Sequence, residues 1–189
     1  MLNSLQLNAG ESLAVFGTGA VGLAAVMAAN IVGATTIVAV DVNESRLALA
    51  AELGATDTIN AASDDFADQM RKIPGGFDYI LETTARPQML AIAVESIKPT
   101  GVAALIGAAP AGTTAPIDMT SLLAGRSLRG IMQGDSVPHL FIPKLVDLYR
   151  SGHFPIDRLV RRYPFADINE AFADAARGTV IKPVLMMGD

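Results

Sequence analysis

Three glycines, spaced Gly17-x-Gly19-x-x-Gly22, stand between an apolar run at Ser12-Leu13-Ala14-Val15-Phe16 and an Ala-rich stretch that reaches Val32. This spacing can cradle a pyrophosphate. Gly17 permits a tight turn, Gly19 lets the backbone come close to phosphates, and Gly22 lets a helix pack against a strand. The first backbone N–H groups of such a helix, near Ala20 and Val21, lack partners inside the helix. They carry the roughly half positive charge of the helix dipole and face an incoming anion. Asp41 lies nineteen residues beyond Gly22, at the end of the next apolar run. A carboxylate there can accept both ribose hydroxyls of an adenosine and repels a 2′-phosphate. Each such charged hydrogen bond is worth about 1.5–3 kcal/mol. The set therefore points to NAD rather than NADP.

Other readings of the same residues exist. Asp41 can be a cap for the following helix, although Asn43 is the better cap. A glycine turn followed by an acid also occurs in methyltransferases that bind S-adenosylmethionine. A short-chain dehydrogenase needs a Tyr with a Lys four residues later, and none of Tyr79, Tyr149 and Tyr163 has one. His139 and His153 sit in polar, Pro-flanked segments and read as surface residues.

Composition narrows the chemistry further. The 189 residues include no cysteine and two histidines, which excludes disulfides, a thiolate zinc cage, an iron–sulfur cluster and a Cys nucleophile within the chain. The net charge is −5, so neither nucleic acid nor an anionic membrane is an expected partner. Met1-Leu2-Asn3-Ser4 has no basic region of the secretory kind, and the apolar stretch from Gly17 to Ala34 is interrupted by Thr18 and Asn30. A cytoplasmic protein is expected.

The elements that must position the glycine turn alternate. Strands are expected at 12–16, 35–40, 56–60, 77–81, 101–106 and 127–132. Helices are expected from Ala20 to Val32, from the Asn43 cap to about Leu53, from Asp64 to Lys72, and from Pro87 to about Ile97. Thr35 to Val40 is apolar on both faces, as in a parallel sheet covered on both sides. The alternation predicts an α/β fold with a doubly wound, parallel six-stranded sheet. After Gly134 the rhythm changes. A helix beginning at Pro143, strands at 159–165 and 180–187, and a helix capped by Asp167 with Glu170 three residues on are expected there.

The segments from Ala14 to Val26, Ile37 to Arg46 and Glu52-Leu-Gly-Ala-Thr-Asp57 resemble the coenzyme half of medium-chain, zinc-type alcohol dehydrogenases. So do Phe77 to Glu82, Gly125 to Gly130, Ile168 to Phe172 and Ile181 to Val184. The likeness covers essentially the whole chain, and its aryl- or benzyl-alcohol branch is nearest. It implies a Rossmann-type NAD-binding domain over residues 1–152, with 153–189 returning to a catalytic domain that this sequence does not contain. The backbone at Gly17, Thr18, Gly19, Ala20 and Val21 would hold the pyrophosphate. Asp41 would bind the ribose, Val42 the adenine, and Arg46 the ribose or adenine edge. Thr83 and Thr84 would line the groove and Arg86 would cover the ring. Groups at Ile106, Gly107, Ala108, Ile131 and Gln133 would flank the nicotinamide, and Lys182 would reach the pyrophosphate.

Each assignment has a plainer counterpart. Arg46 can be a solvated helix charge and Arg86 a loop decoration. Thr83 and Thr84 can be ordinary strand ends, and Lys182 an edge gatekeeper. In the family, zinc and the proton relay belong to the catalytic domain. None of its Cys and His ligands is present, so this chain is expected to hold no zinc and to lack catalysis alone. The tail strands are expected to lack partners. The resemblance further implies an alcohol or aldehyde substrate. It also implies a homodimer or homotetramer through the sixth strand, with Leu122, Leu123 and Leu128 nearby. A stand-alone nucleotide-binding module and a zinc-free quinone-reductase relative are the alternatives; the latter favours NADPH, which Asp41 opposes.

Overall fold

The structure is a computed structural model that describes residues 3–188. The chain divides into two compact units, one running to Phe141 and one from Ile142.

The first unit is built on one parallel sheet. Its strands are β1 (Ser12–Phe16), β2 (Thr36–Asp41), β3 (Asp57–Asn60), β4 (Phe77–Glu82), β5 (Ile97–Leu105) and β6 (Ser127–Gly130), in the spatial order β3-β2-β1-β4-β5-β6. This is the doubly wound sheet expected from the sequence. Chain order reverses between β1 and β4, and the carboxyl ends of strands at such a switch point leave a crevice. β1 is buried on both faces, with Leu13, Ala14, Val15 and Phe16 all fully inaccessible. Phe16 meets Phe66 edge to face at 5.9 Å between ring centroids, and Val38, Val40, Ile80 and Val94 fill the same core.

The helices follow from local chemistry. They are α1 (Ala20–Val32), α2 (Glu44–Glu52), α3 (Phe66–Arg71), α4 (Pro87–Ser96) and a short α5 (Met119–Leu122). Asn43 caps α2, its side chain accepting from Ser45 N at 3.0 Å and Arg46 N at 3.3 Å. Pro87 occupies the first position of α4, where a missing N–H costs nothing. β5 starts earlier than expected, at Ile97, because it pairs with Phe77 and then shifts register across a bulge before Tyr79. β6 is the edge strand and all four of its residues are exposed.

Helix α6 (Pro138–Arg150) begins five residues before the expected start. Pro138 takes the first-turn place that the sequence offered to Pro143, which instead sits inside the helix. The division between the units falls within α6, whereas the sequence placed the boundary after Gly152.

The second unit also carries β7 (Val160–Pro164), α7 (Ile168–Arg177) and β8 (Lys182–Met186). Here the expectation of unpartnered tail strands is corrected: β7 and β8 pair with one another in parallel. The expected capping box is also absent. Asp167 closes a 3₁₀ turn at φ −95° and ψ 21°, away from the extended geometry of a capping residue, and its side chain makes no cap bond. Tyr163, Ala171 and Val180 form a small core with Leu185 against it. The Tyr163 hydroxyl donates to Asp174 at 2.5 Å and, with Arg177 and Arg161, holds that carboxyl below its usual range. Among the described residues no helix is long and apolar enough to cross a membrane.

At the amino end of the sheet, Asp78 fastens β4 to β1. Its carboxylate accepts from Ser12 N at 3.0 Å and from the Ser12 hydroxyl at 2.7 Å, and it pairs with Lys98. Burial pushes this carboxyl up, but the Lys98 ammonium and the Ser12 donors outweigh it and hold it below the usual carboxylate range. A depressed folded value adds stability above the unfolded value, and that stability is lost as pH falls through the folded one. Asp78→Asn should therefore lower stability by about 1–3 kcal/mol at pH 7. In chemical denaturation the gap to the parent chain should hold down to about pH 5 and shrink below about pH 4.

Candidate functional site

A groove of about 330 Å³ opens beside the carboxyl ends of β1, β2 and β4. Eight of the expected residues line it: Gly17, Gly19, Asp41, Val42, Arg46, Thr83, Thr84 and Arg86. Val40, Ala61 and Met89 line it as well. Val40 belongs to the run that ends in Asp41, but Ala61 and Met89 carried no motif. The end of β3 and the first turn of α4 place those two there, so only the topology could have found them.

The three glycines differ in what they do. Gly17 has φ +91°, a backbone that a side chain would strain, and a Cβ there would come within 2.5 Å of the Thr83 hydroxyl. A Cβ on Gly22 would overlap the Gly17 carbonyl oxygen, so this position sets the distance between α1 and the turn. A Cβ on Gly19 would meet nothing within 4 Å. Gly19 therefore leaves open space, as a site for a ligand requires. Gly19 is also the N-cap of α1 and supplies no side-chain bond, and the first turn of α1 holds no acid. The leading N–H groups of α1 have no side-chain acceptor there, and this helix end attracts an anion.

Asp41 is 8% exposed and makes more bonds than the sequence suggested. Its Oδ2 accepts from Thr18 N at 2.7 Å and from the Thr18 hydroxyl at 2.9 Å. Its Oδ1 accepts from Val42 N at 2.8 Å and Asn43 N at 3.0 Å. The carboxylate thus ties the turn after β1 to the turn after β2, a role that no motif announces. A ribose diol would share these oxygens with Thr18. Capping of α2 falls to Asn43, so the reading of Asp41 as a helix cap does not hold.

Arg46 projects from α2 into the groove, and its Nε is buried without a hydrogen-bond partner. A buried guanidinium N–H left unpaired is costly, and an acceptor in the groove would relieve it. Val42 and Val21 are apolar yet 55% and 53% exposed, surfaces suited to a flat ring or a ribose face. Thr83 is held by β1, its hydroxyl donating to Phe16 O at 2.8 Å.

Other expected residues stand outside this groove. Thr18, Ala20, Val21 and Gly22 build the turn and helix start behind it. Ile106, Gly107 and Ala108 follow β5, and Ile131 and Gln133 follow β6, along the same carboxyl edge of the sheet. The N–H groups of Ile106 and Gly107 bond to Glu82 O, and that of Ile131 to Leu105 O at 2.9 Å. Main-chain hydrogen bonds from a ligand to these three residues would therefore go to their carbonyl oxygens. Lys182 opens β8 in the second compact unit and is exposed. His139 and His153 are both exposed. Among the described residues no three His, Asp or Glu side chains come together to hold a metal ion, so the residues present do not fit a zinc site.

A family model described as "Zinc-binding dehydrogenase" matches residues 20–150. The chain belongs to the zinc-binding dehydrogenase family. It is 39% identical over 188 residues to geraniol dehydrogenase of Castellaniella defragrans, covering 98% of this chain and 50% of that protein. Among solved structures, an alcohol dehydrogenase zinc-binding domain protein from Burkholderia ambifaria matches with a TM-score of 0.95 and 50% identity. That match covers all of this chain and 51% of the other. Benzyl alcohol dehydrogenase from Acinetobacter calcoaceticus matches with a TM-score of 0.96 and 41% identity, over 99% of this chain and 52% of that one. The chain therefore spans about half the length of the relatives it matches, as the half-length likeness in the sequence implied.

Two substitutions separate fold from binding. Gly22→Ala should cost about 1–3 kcal/mol or more, because the new methyl has no room. Gly19→Ala should stay within about 0.5 kcal/mol of the parent in denaturant unfolding yet weaken binding of a pyrophosphate ligand. Equal loss of stability in both variants would contradict this division.

Proposed function

We propose that this chain is the NAD-binding half of an alcohol dehydrogenase, acting in the intact enzyme on a primary alcohol next to an aromatic ring or a double bond. The observation that carries the cofactor reading is the groove itself. It joins an open glycine cradle at a helix start, a carboxylate at the end of β2, and an Arg46 Nε that lacks a partner. The substrate class rests on the named relatives, since geraniol is an allylic alcohol and benzyl alcohol a benzylic one.

The residues divide the work by chemistry. The N–H groups at Ala20 and Val21, with the α1 dipole, neutralise the pyrophosphate. Asp41 accepts from the adenosine ribose while keeping Thr18 in place. Arg46 and Arg86 supply donors and a flat cation at the adenosine edge. Val42, Ala61 and Met89 exclude water from the ring. A bound nicotinamide supplies the hydride acceptor. No step is assigned to zinc, because the residues present offer no ligand set for it.

A carboxylate that must share its oxygens with a ribose diol also faces any 2′-phosphate at close range, so NAD is favoured over NADP. NAD is kept inside cells, and the reading carries a cytoplasmic location with it. The exposed β6 edge, with Leu123 85% and Leu128 39% exposed, favours a homodimer or homotetramer built through that strand. Leu122, by contrast, packs against the core of the first unit.

Calorimetric titration of the purified chain with NAD, NADH and NADP tests the reading. NAD and NADH should bind, and NADP at least about tenfold more weakly, a difference of about 1.4 kcal/mol. Asp41→Ala should weaken NAD by about tenfold or more and narrow the gap to NADP. Equal affinity for both cofactors in the unaltered chain would defeat the selectivity reading. Added benzyl alcohol should yield no steady NADH production from this chain alone.

A further inference from the structure

Glu82 ends β4 and is fully buried, at 0% exposure. Among the described residues no Lys or Arg pairs with its carboxylate. A buried acid without a cation is expensive unless its oxygens are filled by hydrogen bonds. Here the donors come from the turn that follows. Oε1 accepts from Thr84 N at 2.6 Å and from the Thr84 hydroxyl, and Oε2 accepts from Ala85 N at 3.2 Å. The Thr84 hydroxyl oxygen in turn accepts from Arg86 N at 3.2 Å. Ala85 is held at φ +59°, a left-handed backbone that alanine rarely adopts. The Glu82 main chain holds the next segment, its carbonyl accepting from Ile106 N at 2.9 Å and Gly107 N at 3.1 Å.

We propose that Glu82 is a positioning residue for dinucleotide binding, whose buried carboxylate folds the Thr83–Arg86 turn so that Thr83, Thr84 and Arg86 form one wall of the groove. This rests on the dinucleotide reading of that groove. The side chain never reaches the groove itself, since Glu82 is absent from its lining. It acts through the turn. Without the carboxylate, nothing in its bonding offsets the left-handed Ala85, and the turn relaxes toward ordinary backbone. A glutamine has the same shape but only one acceptor oxygen, so its NH₂ group would meet the Ala85 N–H, donor against donor.

The experiment compares the unaltered chain with Glu82→Gln by titration with NAD and with 5′-AMP, beside denaturant unfolding and amide hydrogen exchange. The expected result is a folded Glu82→Gln protein that binds both NAD and 5′-AMP about tenfold more weakly. The losses should match, because the turn forms the adenosine side. In the unaltered, ligand-free chain the Thr84 and Ala85 amides should exchange slowly for loop positions. A Glu82→Gln protein with a lower unfolding midpoint but unchanged affinities would show a merely structural acid and overturn the proposal. Fast exchange at Thr84 and Ala85 in the unaltered chain would overturn it as well, and that measurement decides the matter if Glu82→Gln does not fold. An unaltered chain that binds neither compound, with its Thr84 and Ala85 amides still protected, would overturn the dinucleotide reading and the positioning role with it.

Discussion

The site depends on one clasp. β1 and β2 end side by side, and each must turn sharply away from the sheet at the same place. The Asp41 carboxylate takes two donors from Thr18 on one oxygen and two from Val42 and Asn43 on the other. Both turns are thereby fixed to a single rigid group. The glycine turn can then keep its positive φ at Gly17 and present the start of α1 without a side chain of its own to hold it. A charged group used this way is nearly invisible to solvent, yet it is the part of the chain to which the ligand's ribose is expected to bond.

Preorganisation of this kind shifts cost from binding to folding. The unpaired Arg46 Nε and the exposed Val21 and Val42 all weaken the empty protein slightly. Each would be relieved by a ligand that brings an acceptor and a flat surface. The loop at Thr83 to Arg86 follows the same logic, since a left-handed Ala85 is tolerated only where its surroundings over-determine it. Because the strain is already in the fold, little ordering remains to oppose association.

The sheet was legible because β1, β2 and the later half of β5, from Gly101 to Leu105, are apolar on both faces, a pattern that a covered parallel sheet explains. The glycine turn and Asp41 were legible because their spacing encodes a tight turn and a strand length. Other features left no periodic trace. The start of β5 lies in Ile97-Lys98-Pro99-Thr100-Gly101, where Pro and Gly read as a loop and a bulge absorbs the irregularity. Pro143 has the chemistry of a helix start, but Pro138 five residues earlier can fill the same position, and local sequence does not decide between them. Ala61 and Met89 come from separate elements, and only the crossing of those elements brings them to the groove. Glu82 stood in plain view within Phe77 to Glu82, but an acid at a strand end has no distinctive spacing. Its partners are the amides just after it, and their direction depends on backbone angles the sequence does not state.

The second unit obeys a different constraint. Parallel strand pairs are found where both faces are covered, and two strands alone rarely suffice for stability. Here β7 and β8 form such a pair, with α7 supplying Ala171 to one side. Along β8, Lys182, Val184 and Met186 are exposed while Pro183 and Leu185 are half-buried, so the strand has one bare face. Phe172 is 68% exposed and Met187 75%. The Tyr163–Asp174 bond and the two arginines beside it give this small unit a polar fastening that its few apolar contacts do not provide. A parallel pair with one apolar face uncovered has the physical character of part of a larger layer. That agrees with a chain spanning about half the length of its relatives, whose second unit still has surface to bury.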